Sequence, residues 1–313
     1  MTLLWKPLLS GTLPIDPVTG DFDYSLIPFP VYASPKEDGF RAMVQGGVLV
    51  SRNGLPIRNK ELQARYGRAA YEGLDGELTA GPPNGAEVFN RTSKIVTKAT
   101  ADAMDVRFNV IDYMASKNAV QFSLEQRISV LKANYSKYEG DPTIQVIPQT
   151  LIKTITQLKA YEQRTLKQGY EGVMLRRADQ GVYPQKPGKE NRSTLREFYL
   201  VRMKRFENAD AVIVSVRPLE HNMNTGRTDA GKRSSKKAGM VVDATKVGSA
   251  TLRDCKTGKT FDTNIGAERL RTWAGWKDEK KWKGVKVRYR YQLCGTIDKP
   301  RINTCSFDEL EVK

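Results

Sequence analysis

Along Val201-Arg202-Met203-Lys204 apolar and charged positions alternate, the period of a strand with one face against a core. The predicted strand runs from Phe198 to Lys204. Phe40–Val44 and Val48–Arg52 are two more strand-forming runs, and the Gly46-Gly47 pair between them is a two-residue hairpin turn. Leu74–Thr79 reads as a strand with its acidic residues on one face, and Arg107–Tyr113 and Glu171–Arg176 as further strands. Two helices interrupt them. Ser123-Leu124-Glu125-Gln126 is a capping box opening a helix to about residue 134. A second helix spans about Ile155 to Gln168 and stops at Gly169, where a helix commonly needs a glycine. The first thirty residues, rich in Pro and Gly, read as an irregular lead-in. Antiparallel strands with scattered helices predict an α+β fold rather than a doubly wound sheet.

The pattern changes after Glu207-Asn208-Ala209-Asp210, which reads as a linker, with a hinge near residues 206–209. Beyond it the runs Ala211–Val216, Gly239–Asp243, Gly248–Arg253 and Val285–Leu293 predict a small all-β barrel of about five strands. A long polar loop, Asn222–Lys237, ends in Gly231-Lys232-Arg233-Ser234-Ser235-Lys236-Lys237. Barrels of this kind often bind nucleic acid. The expected domains are 1–205 and 206–313.

Composition sharpens this picture. The chain has 313 residues, 39% apolar and 27% charged, and a net charge of +16. Such an excess favours a polyanionic partner, because neutralised phosphates release counterions. Residues 205–313 hold 23 Lys and Arg against 14 Asp and Glu, and the remainder holds 28 against 21, so the C-terminal part is the more basic per residue. No run approaches the ~18 apolar residues of a bilayer span. The N-terminus carries no recognisable signal peptide. The three cysteines, Cys255, Cys294 and Cys305, fit no zinc spacing, and their odd number suits a reducing cytoplasm.

The chemistry begins at Lys36-Glu37-Asp38-Gly39-Phe40-Arg41, read as a loop just before the hairpin. It sets a potentially nucleophilic amine beside a carboxylate, a turn and a second cation, which is equipment for attack at phosphorus. Four elements answer it in order: Ser51-Arg52-Asn53-Gly54, Asp75-Gly76-Glu77, Glu171-Gly172-Val173-Met174 and Arg202-Met203-Lys204. Their order and spacing resemble the nucleotidyltransferase motifs of ATP-dependent DNA ligases, in the minimal two-domain form of bacteriophages and viruses. The resemblance covers nearly the whole chain.

The resemblance implies a nucleotidyltransferase domain of mixed antiparallel sheets with helices, followed by an OB-fold barrel. It implies ATP and Mg²⁺ as cofactors, nicked double-stranded DNA as substrate, a monomer, and no membrane. Lys36 becomes the site of a covalent lysyl-AMP, with Asp38 and Arg41 in the same motif. Pro35, Arg41, Glu77 and Ile111 hold the nucleoside. Glu77 and Glu171 bind the metal, a hard cation that prefers oxygen ligands. Arg202 and Lys204 stabilise charge on the α-phosphate. Arg52 grips the 5′-phosphate side of a nick, and Lys232, Arg233, Lys236 and Lys237 lie against the DNA backbone. Arg301, in Asp298-Lys299-Pro300-Arg301, is the candidate contact of the family's last motif.

Two positions depart from the family pattern. Ile111 stands where an aromatic residue usually stacks on adenine, and Arg202 where a lysine is usual; an Arg is not a point-charge equivalent of Lys. An RNA ligase shares the lysyl-AMP chemistry, and a non-catalytic nucleic-acid-binding protein could share the scaffold. The all-β tail favours a DNA ligase over an RNA ligase, and retention of Lys36, Glu77, Glu171 and Lys204 together argues against a non-catalytic scaffold.

Overall fold

The computed structural model describes residues 5–304, apart from 17, 86, 115–119, 136–140, 180, 182, 186–189, 227–232, 265–276 and 293–300. The chain divides into two compact units, Met1–Lys204 and Arg205–Lys313.

The first unit is built on two five-stranded sheets. One has the order β1 (Gly11–Thr12), β10 (Val201–Lys204), β9 (Gly172–Arg177), β2 (Val31–Lys36), β8 (Thr150–Ile152). The other has the order β4 (Val48–Ser51), β3 (Phe40–Gln45), β5 (Leu74–Ala80), β6 (Val106–Tyr113), β7 (Ile144–Val146). All neighbours are antiparallel except β1 with β10 and β6 with β7. Helices α1 (Lys60–Tyr66), α2 (Val88–Val96) and α3 (Leu124–Tyr135) lie against the second sheet, and α4 (Ile155–Lys167) against the first. Each sheet has its own apolar core. Leu49, Leu62, Tyr66, Leu78 and Phe108 belong to one, and Val31, Leu158, Val173, Phe198 and Met203 to the other. The α+β expectation holds.

Local sequence explains much of this. Gly46 and Gly47 both take positive φ, at 62° and 69°, as a tight turn between twisted strands requires. Ser123 and Gln126 form the reciprocal capping box at the start of α3: the Ser123 amide donates to Gln126 Oε1 at 2.8 Å and the Gln126 amide to Ser123 Oγ at 3.2 Å. Helix α4 starts on the Thr154 side chain and gives way to Gly169.

Several expectations need correction. Lys36 does not lie on a loop; it is the last residue of β2. Pro35 argues against a strand in sequence, since it cannot donate to a ladder. Here β8 pairs only with Val31–Ala33, so β2 has a single neighbour at Pro35 and the missing N–H costs little. The strand expected from Phe198 begins at Val201. Phe198 itself is left-handed (φ 53°) and buried, its amide closing a turn onto the Thr194 carbonyl at 3.0 Å. Glu207–Asp210 is no linker. It opens β11 (Glu207–Asn222) and pairs with Tyr291–Arg288 of β14 (Lys286–Gln292).

The second unit is a five-stranded sheet of order β13 (Thr260–Asn264), β12 (Met240–Asp254), β11, β14, β15 (Arg301–Thr304). The two runs expected at 239–243 and 248–253 are one bulged strand, β12, held along β11. Five strands are what an OB-type fold needs, and among the described residues no ladder joins β13 to β15. Trp282 packs into this unit's core with Ile213, Leu252 and Tyr289. Trp273 and Trp276 lie outside the described residues.

Candidate active site

The first unit's strands bring separated motifs to one place. Lys36 pairs with Gly172 across β2 and β9, and Gly172 pairs with Lys204 across β9 and β10. Glu171, one residue before β9, therefore sits between two lysines from flanking strands. Its amide donates to the Lys36 carbonyl at 3.2 Å. Its buried carboxylate is ion-paired through Oε2 with Lys36 Nζ and through Oε1 with Lys204 Nζ. Gly172 is a glycine for space, because a Cβ there would stand 2.1 Å from the Met203 carbonyl oxygen. This fit lets β10 carry Lys204 alongside Glu171.

The other sheet supplies a second wall. Arg41 on β3 pairs with Glu77 on β5, and Glu77 with Asn109 on β6. The Arg41 guanidinium binds buried Asp75 in a bidentate fork, Nε to Oδ1 at 2.6 Å and Nη2 to Oδ2 at 2.8 Å. Burial works against charge on Arg41, but the Asp75 carboxylate outweighs it and holds the guanidinium above its ordinary range. Burial pushes Glu77 up to about 7, partly opposed by the positive charges of Arg41 and Lys36.

Between these walls lies a cavity of about 330 Å³. Lys36, Glu37, Arg41 and Glu77 line it, as do Pro35, Ile111, Arg52 and Arg202. Arg202 is anchored by Nε donating to Thr12 Oγ1 at 2.9 Å; burial and the neighbouring Arg192 hold its guanidinium below its ordinary value. Glu171 and Lys204 meet Lys36 at the cavity's edge through the ion pairs above. Asp38 does not line the cavity; it lies in the turn between β2 and β3.

The remaining sequence candidates belong to the second unit. Arg233, Lys236 and Lys237 are exposed, with Arg233 Nη1 donating to the Asn222 carbonyl at 2.8 Å. Lys232 lies outside the described residues. Arg301 opens β15, opposite Gln292.

Several cavity residues escaped the motif reading. Glu37 is the clearest. It is 7% exposed, and neither carboxylate oxygen has a hydrogen-bond partner among the described residues. Asn109 is near, but its Nδ2 is engaged by Thr79 Oγ1 at 2.9 Å. Burial, reinforced by the charge of Glu77, pushes Glu37 up to about 8. Arg176 also lines the cavity, held by Asp112, whose other partner is Arg127. Burial opposes charge on Asp112, yet the two guanidiniums hold its carboxyl down at about 2. Arg192, Met174 and Leu200 complete the gap between the sheets. A strand's period could have flagged Met174 and Arg176, which share a face with Gly172; nothing local distinguishes Glu37 or Arg192.

The arrangement offers an amine nucleophile, clustered cations for phosphate charge, and carboxylates for hydroxyls or a hard cation. Comparisons with known proteins agree with that chemistry. The ATP dependent DNA ligase domain family matches residues 25–195, more than half the chain. A crystal structure of the Chlorella virus DNA ligase-adenylate is 26% identical, with a TM-score of 0.54 over 95% of this chain and 95% of that one. A Lig E DNA ligase shares the fold at 21% identity and a TM-score of 0.64, over 94% of this chain and 96% of that one. No curated protein sequence matches the chain. With the motifs in order along the sequence and their side chains gathered at one cavity, the chain belongs to the ATP-dependent DNA ligases.

Proposed function

We propose that this protein seals 5′-phosphate/3′-hydroxyl nicks in duplex DNA through a covalent lysyl-AMP at Lys36. The observation that carries the reading is the convergence of Lys36, Glu171 and Lys204 at one end of one sheet, facing a cavity whose other wall holds Arg41 and Glu77.

In the first step the neutral amine of Lys36 attacks the α-phosphorus of ATP. A P–N bond forms, the bond to the β-phosphate oxygen breaks, pyrophosphate leaves, and the amine's proton passes to solvent. Lys36 is an ordinary ammonium in water at neutral pH, so its neighbours decide when it becomes a nucleophile. Lys204 and Arg202 neutralise charge growing on the α-phosphate, from positions fixed before the reaction starts. Arg41, locked by Asp75, and Glu77 hold the ribose side, with Pro35 and Ile111 against the base. In the second step an oxygen of the nick's 5′-phosphate displaces Lys36, which recovers a proton. In the third the 3′-hydroxyl oxygen attacks the 5′-phosphorus, its proton passes to solvent, the anhydride P–O bond breaks and AMP departs.

Among the described residues no three acidic, histidine or cysteine side chains form a metal cage. Mg²⁺ needs none, because it commonly takes one or two carboxylates and completes its shell with substrate phosphates and water. Glu77 and Glu171 fit that donor set, a cation at Glu171 taking the place of an ammonium. When bound, the ion supplies neutralisation of the polyphosphate charge.

Arg52 fits the 5′-phosphate side of the nick. Residues 1–205 are assigned the covalent chemistry and 206–313 the DNA-binding barrel, with Lys232, Arg233, Lys236 and Lys237 on the backbone and Arg301 in the role of the family's last motif. The positive excess supports sequence-independent phosphate contacts. The protein is proposed to act as a monomer in the cytoplasm, and no described helix is long and apolar enough to cross a membrane.

The test is incubation with α-labelled ATP, Mg²⁺ and matched nicked duplexes, one all-DNA and one all-RNA. Covalent label on wild type, its loss in Lys36→Ala, and sealing of the DNA nick are expected. Ordinary labelling of Lys36→Ala would refute the nucleophile assignment, and preferential RNA sealing would refute the substrate.

A further inference from the structure

Beside the nucleotide cavity lies a second, smaller one of about 240 Å³, and the two share Ile111. Its walls include Ile128, Leu131 and Lys132 of α3, with Ile147 and Gln149 from the segment between β7 and β8. The lining is mostly aliphatic, with Lys132 and Gln149 its two polar side chains. Both polar atoms of that amide, Oε1 and Nε2, are buried without a hydrogen-bond partner among the described residues.

Gln149 is not remote from the chemistry. Thr150 pairs with Ala33 in the last register pair of β8 and β2, so Gln149 leaves the sheet opposite Ser34. Ser34 is buried, lines the nucleotide cavity, and stands two residues before Lys36. Sheet register thus places Gln149 beside a residue of the nucleotide cavity, and its unsatisfied amide lies in a second cavity that shares Ile111 with the first.

A primary amide carries an acceptor and a donor side by side in one plane. Left buried and unpaired it is costly, so such a group is informative about what fills the site. Phosphate offers only acceptors. A flat ring suits the aliphatic walls, and adenine presents an exocyclic amine next to a ring nitrogen, the donor–acceptor pair that a Gln amide matches in bidentate fashion.

We infer that Gln149 reads the base of the nucleotide, pairing its amide with the exocyclic amine and the adjacent ring nitrogen of adenine while Ile111 packs on the ring. This rests on the Lys36 reading above. Gln149 is then a specificity residue that compensates for the missing aromatic platform: an aliphatic wall holds a purine without choosing it, and the amide chooses.

The experiment compares covalent adduct formation from ATP with that from purine riboside triphosphate, which has hydrogen in place of the amine. Wild type should favour ATP by roughly 10- to 100-fold in kcat/KM, the range of one bidentate amide–base pair. Gln149→Leu should bring the two nucleotides within about 3-fold, by slowing ATP rather than quickening the analogue. Gln149→Met, closer in length and flexibility, serves where Leu is not tolerated in the core. Equal use of both nucleotides by wild type, or an undiminished ATP preference in either variant, overturns the inference. Failure of wild type to form an adduct with either nucleotide instead overturns the Lys36 reading on which it rests.

Discussion

Replacing Asp112 with Asn should be among the most damaging single changes in the first unit. Asp112 is 2% exposed, and its carboxylate accepts from Arg127 Nε at 2.9 Å, from Arg127 Nη2 at 3.3 Å and from Arg176 Nη1 at 2.7 Å. Both arginines are themselves buried, at 1% and 5% exposure. The substitution keeps the side chain's shape but leaves two desolvated guanidiniums facing a neutral amide. Removing one partner of a buried ionic network costs about 3–5 kcal/mol. For a unit of this size each kcal/mol moves the melting temperature by about 2–4 °C, so Asp112→Asn should melt ~6–20 °C lower. The pH dependence follows from the same network. The folded carboxyl lies at about 2 against an ordinary 3.8, so its ionised form stabilises the fold above pH ~4 and that stability is lost as pH falls toward 2. The difference corresponds to ~2–3 kcal/mol. Thermal melts followed by circular dichroism at pH 7 and across pH 2–5 test both statements. Adenylate formation should fall as well, since Arg176 lines the cavity that Asp112 anchors. A melting shift below ~2 °C at pH 7 would refute the reasoning, because it would mean that the guanidiniums are solvated and the triad carries no net charge stabilisation.

Glu37 gives the opposite pH signature. Its folded value of about 8 exceeds the ordinary 4.5, so the folded state binds the proton more tightly and stability falls as pH rises between those values. Glu37→Gln should therefore flatten the melting-temperature profile from about pH 5 to 8, and an unchanged slope would sink the argument. Gly172→Ala would force a Cβ to 2.1 Å from the Met203 carbonyl. Separating β9 from β10 should cost several kcal/mol, about the upper end for single substitutions, and abolish labelling with ATP; a folded, fully labelled variant would show that the strands can part without loss.

Much of the first unit's local structure was legible in sequence, for identifiable reasons. Gly46-Gly47, the Ser123–Gln126 box and Gly169 act through their own backbone or their nearest neighbours, so their meaning does not wait for the fold. The alternation Val201-Arg202-Met203-Lys204 likewise fixed which side chains share a face. Where sequence misled, a long-range partner had intervened. Lys36 read as a loop residue, whereas pairing with β9 carries β2 through it. Glu207–Asp210 read as a linker because its polarity suited solvent, whereas β14 pairs with its backbone regardless of side chain.

The site divides in the same way. Residue order along the chain determined which groups carry chemistry: an amine at 36, carboxylates at 77 and 171, cations at 41, 202 and 204. Only the tertiary structure decided that Glu171 stands between two lysines, that Arg41 is spent on Asp75, and that the side-chain polar atoms of Glu37 and Gln149 are buried with no hydrogen-bond partner among the described residues. A motif records identity and spacing along one dimension. Ion pairing, desolvation and orphaned polar atoms depend on what strands far apart in sequence place within a few ångströms, and that information exists only once the sheets have assembled.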